Sequence, residues 1–239
     1  MSSDSPLRLM LVSMVPPRND CGVRIVMHRH LVERTPFQLH VVSHADFADD
    51  LLIHTPIGLP YFLQRLRKSR FGPFLGKWLH DYENHLWPLS VEGRLQDAID
   101  SFKPDVILTL AETGLCHMAS RAAKRNSIPL AGLFLDWFPV MPPHYGHRVF
   151  QSLLSLRYRR LYRQCNLAIC TSDGMKEILG PHPNAHVVYP IPGSHIIPDE
   201  ITPPRRGKFR LVYVGAAQSF YGRMLRDLLS AVKSRDDIE

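Results

Sequence analysis

Short apolar runs closed by loops, each followed by a stretch with apolar residues at helix spacing, recur along the 239 residues of the chain. Leu7-Arg-Leu-Met-Leu-Val-Ser13 is the first run, and Gly22 to Leu31 then places Val23, Val26, Met27 and Leu31 on one helical side. Phe37-Gln-Leu-His-Val-Val-Ser43 supplies a second strand, so the chain opens as a βαβ unit with a parallel pair. Between residues 45 and 90 the pattern predicts helices over Tyr61–Lys68 and Phe74–Leu86, punctuated by Pro56, Pro60, Pro73 and Pro88, and no strand. Val91 to Phe102 is an amphipathic helix stopped before Pro104, because proline disfavours helical geometry in its predecessor. There follow a strand at Asp105–Leu110, a helix at Leu115–Arg125, a strand at Leu130–Leu135 and a long basic helix at Arg148–Gln164. A strand at Leu167–Cys170, a helix at Asp173–Leu179 capped by Ser172 or Asp173, and a strand at Ala185–Tyr189 complete the series. Strands that are continuously apolar, each followed by a helix, predict a doubly wound parallel α/β domain over residues 1–190.

Residues 191–208 are proline-rich and without hydrophobic period, the composition of a linker. Phe209-Arg-Leu-Val-Tyr-Val-Gly215 then begins a new strand, and Tyr221 to Val232 a helix with Leu225, Leu228, Leu229 and Val232 expected inward. Residues 209–239 are thus expected to open a second domain that this sequence does not finish, and since about thirty residues cannot bury a core of their own, either the sequence is truncated or this unit docks on the first domain.

Lysine and arginine number 29 against 22 aspartates and glutamates, a formal charge of +7, so the surface should attract an anion. Nucleic acid is the least supported, because neither a recognisable motif nor a lysine-rich stripe accompanies the charge. Cys21, Cys116, Cys165 and Cys170 form no CxxC pair and no zinc spacing, which points to free thiols in a reducing compartment and to no metal site. No apolar stretch approaches the ~20 residues of a membrane helix. A cytoplasmic location is expected.

Parallel α/β sheets bind ligands beyond the carboxyl ends of their strands, so the loops there hold the candidate residues. Pro16-Pro-Arg-Asn-Asp-Cys-Gly-Val-Arg24 places Gly22 at a helix start, where unsatisfied N–H groups can meet a phosphate, with Arg18 and Arg24 nearby. An ordinary helix start with solvated arginines fits as well. Thr109-Leu-Ala-Glu-Thr-Gly114 and Leu135-Asp-Trp-Phe-Pro139 put Glu112 and Asp136 on the rim of neighbouring strands, where a carboxylate can accept a hydroxyl's hydrogen bond or its proton; a solvated Glu112 and a turn-capping Asp136 are the plain alternatives. Trp137 and Phe138 are either buried anchors or a stacking platform for a sugar.

These segments in order, joined by Phe102-Lys-Pro-Asp-Val-Ile-Leu108, Asn126-Ser-Ile-Pro-Leu130, Cys165-Asn-Leu-Ala-Ile-Cys-Thr-Ser-Asp-Gly-Met-Lys-Glu177, Val187-Val-Tyr-Pro190 and Arg210-Leu-Val-Tyr-Val-Gly215, resemble the N-terminal domain and hinge of a GT-B glycosyltransferase of family 4. The resemblance implies two Rossmann-like domains, the first holding the acceptor and the second most of a nucleotide-diphosphate sugar, and retaining transfer without a metal or other cofactor. It places Gly22 in the loop facing the donor diphosphate and Asp136 near the reacting hydroxyl, beside that first loop. The departures are Cys21-Gly22 in place of paired glycines, Leu135 in place of a histidine before the aspartate, and Ala216 and Tyr221 in place of diphosphate-clamping cations, with Gly215 and Arg223 left as second-domain candidates. Glycan biosynthesis with a glycan or lipid-linked acceptor follows from the same resemblance.

On this reading the chain alone is partial or inactive, because the family's donor-binding acidic motif would lie beyond residue 239. A noncatalytic α/β binding module, or a partner subunit of a glycosyltransferase, is the alternative. The basic helix over residues 145–164, with Arg148, Arg157, Arg159, Arg160 and Arg163 among apolar residues, is either a core helix with a solvated face or a peripheral contact with anionic lipid at the inner membrane face.

Overall fold

The computed structural model describes residues 5–20, 22–33, 37–44, 52–139, 147–189, 219–233 and 235. Among these residues seven parallel strands form one sheet: β1 Arg8–Ser13, β2 Gln38–Ser43, β3 Ile53–Pro56, β4 Val106–Leu110, β5 Leu130–Phe134, β6 Leu167–Cys170 and β7 Ala185–Val187. Their order is β3-β2-β1-β4-β5-β6-β7, so the order reverses between β1 and β4. The helices are α1 Gly22–Leu31, α2 Tyr61–Lys68, α3 Gly72–His85, α4 Trp87–Ser90, α5 Glu92–Phe102, α6 Leu115–Arg125, α7 Arg148–Gln164, α8 Asp173–Leu179 and α9 Ser219–Val232. The expected doubly wound parallel sheet is present. The chain divides into two units, 1–191 and 192–239.

The continuous apolar strands sort their side chains by alternate residues. Met10 and Val12 of β1, Ile107 of β4 and Phe134 of β5 join one core with Leu95, Ile99 and Phe102 of α5, Leu115 and Met118 of α6, and Tyr158 and Tyr162 of α7. Leu9, Leu11, Leu108, Leu110 and Ala131 point the other way, where Met27 of α1 meets them. Both faces therefore need apolar residues, which is why the strands show no polar alternation. The helix α5 ends at Phe102 because Lys103 turns into the left-handed region (φ 49°) before Pro104. Ser172 rather than Asp173 caps α8, its hydroxyl accepting from the Met175 N–H at 3.1 Å.

Two elements differ from the pattern. The edge strand β3, where no strand was expected, pairs His40 to Ser43 with Ile53 to Pro56; its four residues carry one strongly apolar side chain and end in proline, too little to register as a strand. The single turn α4 follows α3 directly, with Trp87 and Pro88 buried, so Pro88 sits inside a helical turn instead of a loop. In the second unit, α9 exposes Leu228 and Leu229, both expected to face inward, and half-buries Leu225 and Val232. The expected strand 209–215 lies outside the described residues.

Candidate functional site at the carboxyl edge of the sheet

The reversal of strand order opens a crevice at the carboxyl ends of β1 and β4, and the loops after β1, β4 and β5 border it. Glu112 stands two residues past β4 and Asp136 two past β5, and those strands are hydrogen-bonded neighbours with Leu110 opposite Leu133. The sequence-predicted carboxylates thus share one rim. Glu112 is half-buried and Asp136 exposed. Burial, and next to it the Asp136 carboxylate, push the Glu112 carboxyl above the usual range, so Glu112 holds a proton more tightly than an ordinary glutamate.

Asp136 is fixed through its backbone. Its carbonyl accepts the buried Tyr158 hydroxyl at 2.7 Å and the Phe138 N–H at 2.8 Å, which tightens the turn after β5 and leaves the carboxylate on the outer side. Phe138 is buried, and Trp137 packs edge-on against Tyr158 with the Arg159 guanidinium 4.8 Å above its ring. Both aromatics therefore serve as anchors here. The loop after β4 is held as firmly: Thr113 takes a left-handed φ of 58°, and its carbonyl accepts from the Cys116 thiol. Gly114 presses so closely on α3 and α4 that a Cβ would stand 2.6 Å from the Pro88 ring.

The first loop puts Gly22 at a helix start, as expected, and differs from expectation in its arginines and in its neighbour. Gly22 is exposed at the start of α1 with φ +43°, a left-handed conformation that explains the glycine without any ligand. Arg18 and Arg24 both turn onto Asp20, at 3.3 and 2.8 Å, so much of their charge is met within the loop. Asp136 does not lie beside this loop: β4 and its loop with Glu112 stand between β1 and β5. Glu112 is the carboxylate nearer the reversal point. Gly215 lies outside the described residues, as does the side chain of Arg223, which falls in α9.

Sequence reasoning missed a histidine-rich group that closes the rim beside β5. Asp81 of α3, 7% exposed, accepts from the His147 backbone N–H at 3.3 Å and pairs with His147 Nδ1 at 2.5 Å, tying α3 to the start of α7. His80 lies beside the Phe138 ring, and burial is the main cause of its lowered pKa, against the raising effect of Asp81. Burial and Arg157 lower His85 likewise. Only the spacing of His80, Asp81 and His85 along one helix hinted at this group; its partner 66 residues away had no local signal. Among the described residues no three histidine, cysteine, aspartate or glutamate side chains are grouped to hold a metal ion, and no helix is long and apolar enough to cross a membrane. Cys116, Cys165 and Cys170 are buried free thiols, with burial pushing Cys165 up to about 12.

Residues 27–191 match the family model for Glycosyltransferase Family 4. None of the curated proteins matches the chain. Among solved structures, the chain is similar to UDP-N-acetylglucosamine 2-epimerase from Rickettsia bellii (14% identity, TM-score 0.45, 75% of this chain and 44% of that one). It is also similar to UGT2 of Phytolacca americana (12%, 0.49, 81% and 56%). A third is SsfS6, a glycosyltransferase of Streptomyces sp. SF2575 (14%, 0.46, 96% and 64%). The chain spans less than two thirds of the length of each of these three.

Proposed function

The chain belongs to glycosyltransferase family 4, and from that premise we propose that residues 1–190 form the acceptor-side domain of an enzyme that moves a sugar from a nucleotide diphosphate to a hydroxyl. The observation that carries the reading is the pair of rim carboxylates on adjacent strands, Glu112 with its carboxyl pushed up by burial and by Asp136, and Asp136 exposed. Two carboxyl groups in unlike environments suit unlike tasks: the exposed one accepts the hydrogen bond of the incoming hydroxyl, and the half-buried one holds a proton near the departing phosphate oxygen. The turn after β5, anchored by Tyr158 and Phe138, keeps Asp136 in place while substrates exchange.

In this proposal the donor is a nucleotide-diphosphate sugar, held largely by a second domain to which residues 209–239 contribute, and the acceptor is a hydroxyl of a glycan or of a lipid-linked sugar. Gly22 lines the donor side only through its exposed backbone, since Arg18 and Arg24 are engaged with Asp20. The test is mass spectrometry of product from a panel of nucleotide sugars and glycan or polyprenyl-phosphate-sugar acceptors, with the chain alone and with a family 4 donor-binding domain fused after residue 208. Turnover that requires the added domain and falls on replacing Asp136 supports the reading. Absence of any turnover or nucleotide-sugar binding in the fused protein favours the alternative, a noncatalytic partner subunit.

A further inference from the structure

A cavity of about 310 Å³ lies between α6 and α7. From α6 it is lined by Ser120, Arg121 and Lys124, and from α7 by Arg157 and Arg160, so each helix turns a basic stripe of three-to-four spacing toward the same space. His117 completes the lining on the α6 side, and no carboxylate belongs to it. Arg121 meets Glu92 of α5 at 3.2 Å, and Glu92 is shared with Arg125 at 2.7 Å. Among the described residues, no carboxylate stands within ion-pair distance of Lys124, Arg157 or Arg160.

Like charges gathered around one space repel, and a bound anion relieves that repulsion. Lys124 in the last turn of α6 is favoured there by the helix dipole; Arg157 and Arg160 have no such reason, being one to two turns short of the end of α7. The local field is strong enough to act on its neighbours. Burial first, then Arg157 and Arg121, hold His117 down at about 4, and Arg157 Nη1 donates to His85 Nδ1 at 2.8 Å, which requires an uncharged His85 ring. His117 Nε2 is buried without a hydrogen-bond partner in the described protein.

We propose that this cleft is a binding site for a phosphate or diphosphate group. Guanidinium forks recognise tetrahedral oxyanions through paired N–H donors, and two of them with a lysine suit an anion of more than one negative charge better than a lone carboxylate. The Ser120 hydroxyl, now donating to Gln164, adds a neutral donor. The cavity runs along α6 from His117, two residues into the helix, to Lys124, nine residues in and about 14 Å from its start at helical rise, so its Lys124 and Arg160 end is the part that stands away from the rim. It does not depend on the transferase reading. The group has two possible sources, a soluble diphosphate or the headgroup of an anionic lipid.

The experiment uses the whole chain in two arms, calorimetric titration with inorganic pyrophosphate and co-sedimentation with phosphatidylcholine vesicles with and without phosphatidic acid. Each is repeated on the double variant Lys124→Gln/Arg160→Gln and on a charge-matched control, Arg65→Gln/Arg94→Gln; all four side chains are exposed, so none of the changes touches the core. The expected result is binding in at least one arm that weakens about tenfold or more in the double variant and stays within about twofold in the control, as loss of charge-assisted hydrogen bonds predicts. Binding of pyrophosphate assigns a soluble ligand, and binding of acidic vesicles alone assigns a lipid headgroup. Failure of the wild-type chain to bind in either arm, a double variant that binds like wild type, or a control that loses as much overturns the proposal.

Discussion

Replacing Gly114 with alanine tests how the rim is held, because the local chain and the tertiary contact push in opposite directions. Gly114 has φ −68° and ψ −15°, values alanine adopts without strain, so the substitution alone favours folding by about 0.4–1 kcal/mol through the unfolded chain. Against this, the new Cβ would stand 2.6 Å from Pro88 Cγ, 2.8 Å from the Asn84 carbonyl carbon and closer still to the Asn84 oxygen. Two of those atoms are backbone, and Asn84 is 4% exposed with its side chain bonded to the His80 carbonyl at 2.9 Å, so the neighbours cannot swing aside. Overpacking costs about 1–3 kcal/mol, and with backbone atoms in the way the upper part of that range, about 2–3 kcal/mol, applies; the net loss of about 1–2.6 kcal/mol lowers Tm by roughly 2–10 °C for a unit of this size. Gly76, inside α3 with nothing near its would-be Cβ, is the internal reference: Gly76→Ala should raise Tm by roughly 1–4 °C. Calorimetric and circular-dichroism melts of the two variants read the difference. A Gly114→Ala protein as stable as wild type, beside a Gly76→Ala protein that gains, would refute the close packing of the Glu112 loop on α3 and α4.

Three further outcomes are expected. Glu112→Gln should be more stable than wild type at neutral pH: the native carboxyl holds its proton to higher pH than the unfolded one, so wild-type stability falls as pH rises above the ordinary value of 4.5, while glutamine loses nothing. Urea titrations from about pH 4, where the two proteins should coincide, to about pH 8 check the sign. Tyr158→Phe removes one of two hydrogen bonds to the Asp136 carbonyl and should cost about 1 kcal/mol, roughly 2–4 °C in a thermal melt; an unchanged Tm contradicts the anchoring of that turn. In a protein with the donor-binding domain supplied, Asp136→Asn should lower turnover about 10²–10⁴-fold while leaving Tm nearly unchanged, as befits an exposed side chain; intact turnover with lost stability would make Asp136 a cap instead.

The strands whose residues face two cores, such as Leu9 to Val12 and Ile107 to Leu110, were legible because burial on both sides leaves a continuous apolar run. The strand β3 was not, since an edge of four residues with one strong apolar side chain carries almost none of that signal. The rim positions of Glu112 and Asp136 followed from the strands that end just before them. What the loops do with their charges did not follow: the turn of Arg18 and Arg24 onto Asp20 depends on a loop conformation that no periodicity encodes. Asp81 with His147, and the α6 stripe with the α7 stripe, are meetings of distant segments, visible only after the helices pack. The arginines of α7 were noticed as a basic face, but their role divides in the structure, with Arg159 on Trp137 and the Ile178 carbonyl, and Arg157 and Arg160 on the cavity.

The ends of the sheet bear on how this protein meets other molecules. An unpaired outer strand offers a row of backbone N–H and C=O groups that can template another chain, and long flat edges invite fibrils or swapped dimers. Among the described residues the outer strands are β3, four residues closed by Pro56 with no N–H to give, and β7, three residues long. As described, neither offers enough backbone to recruit an added strand. Recognition by this unit is thereby steered toward side-chain chemistry, in the crevice loops or along the helical layer, and away from backbone templating.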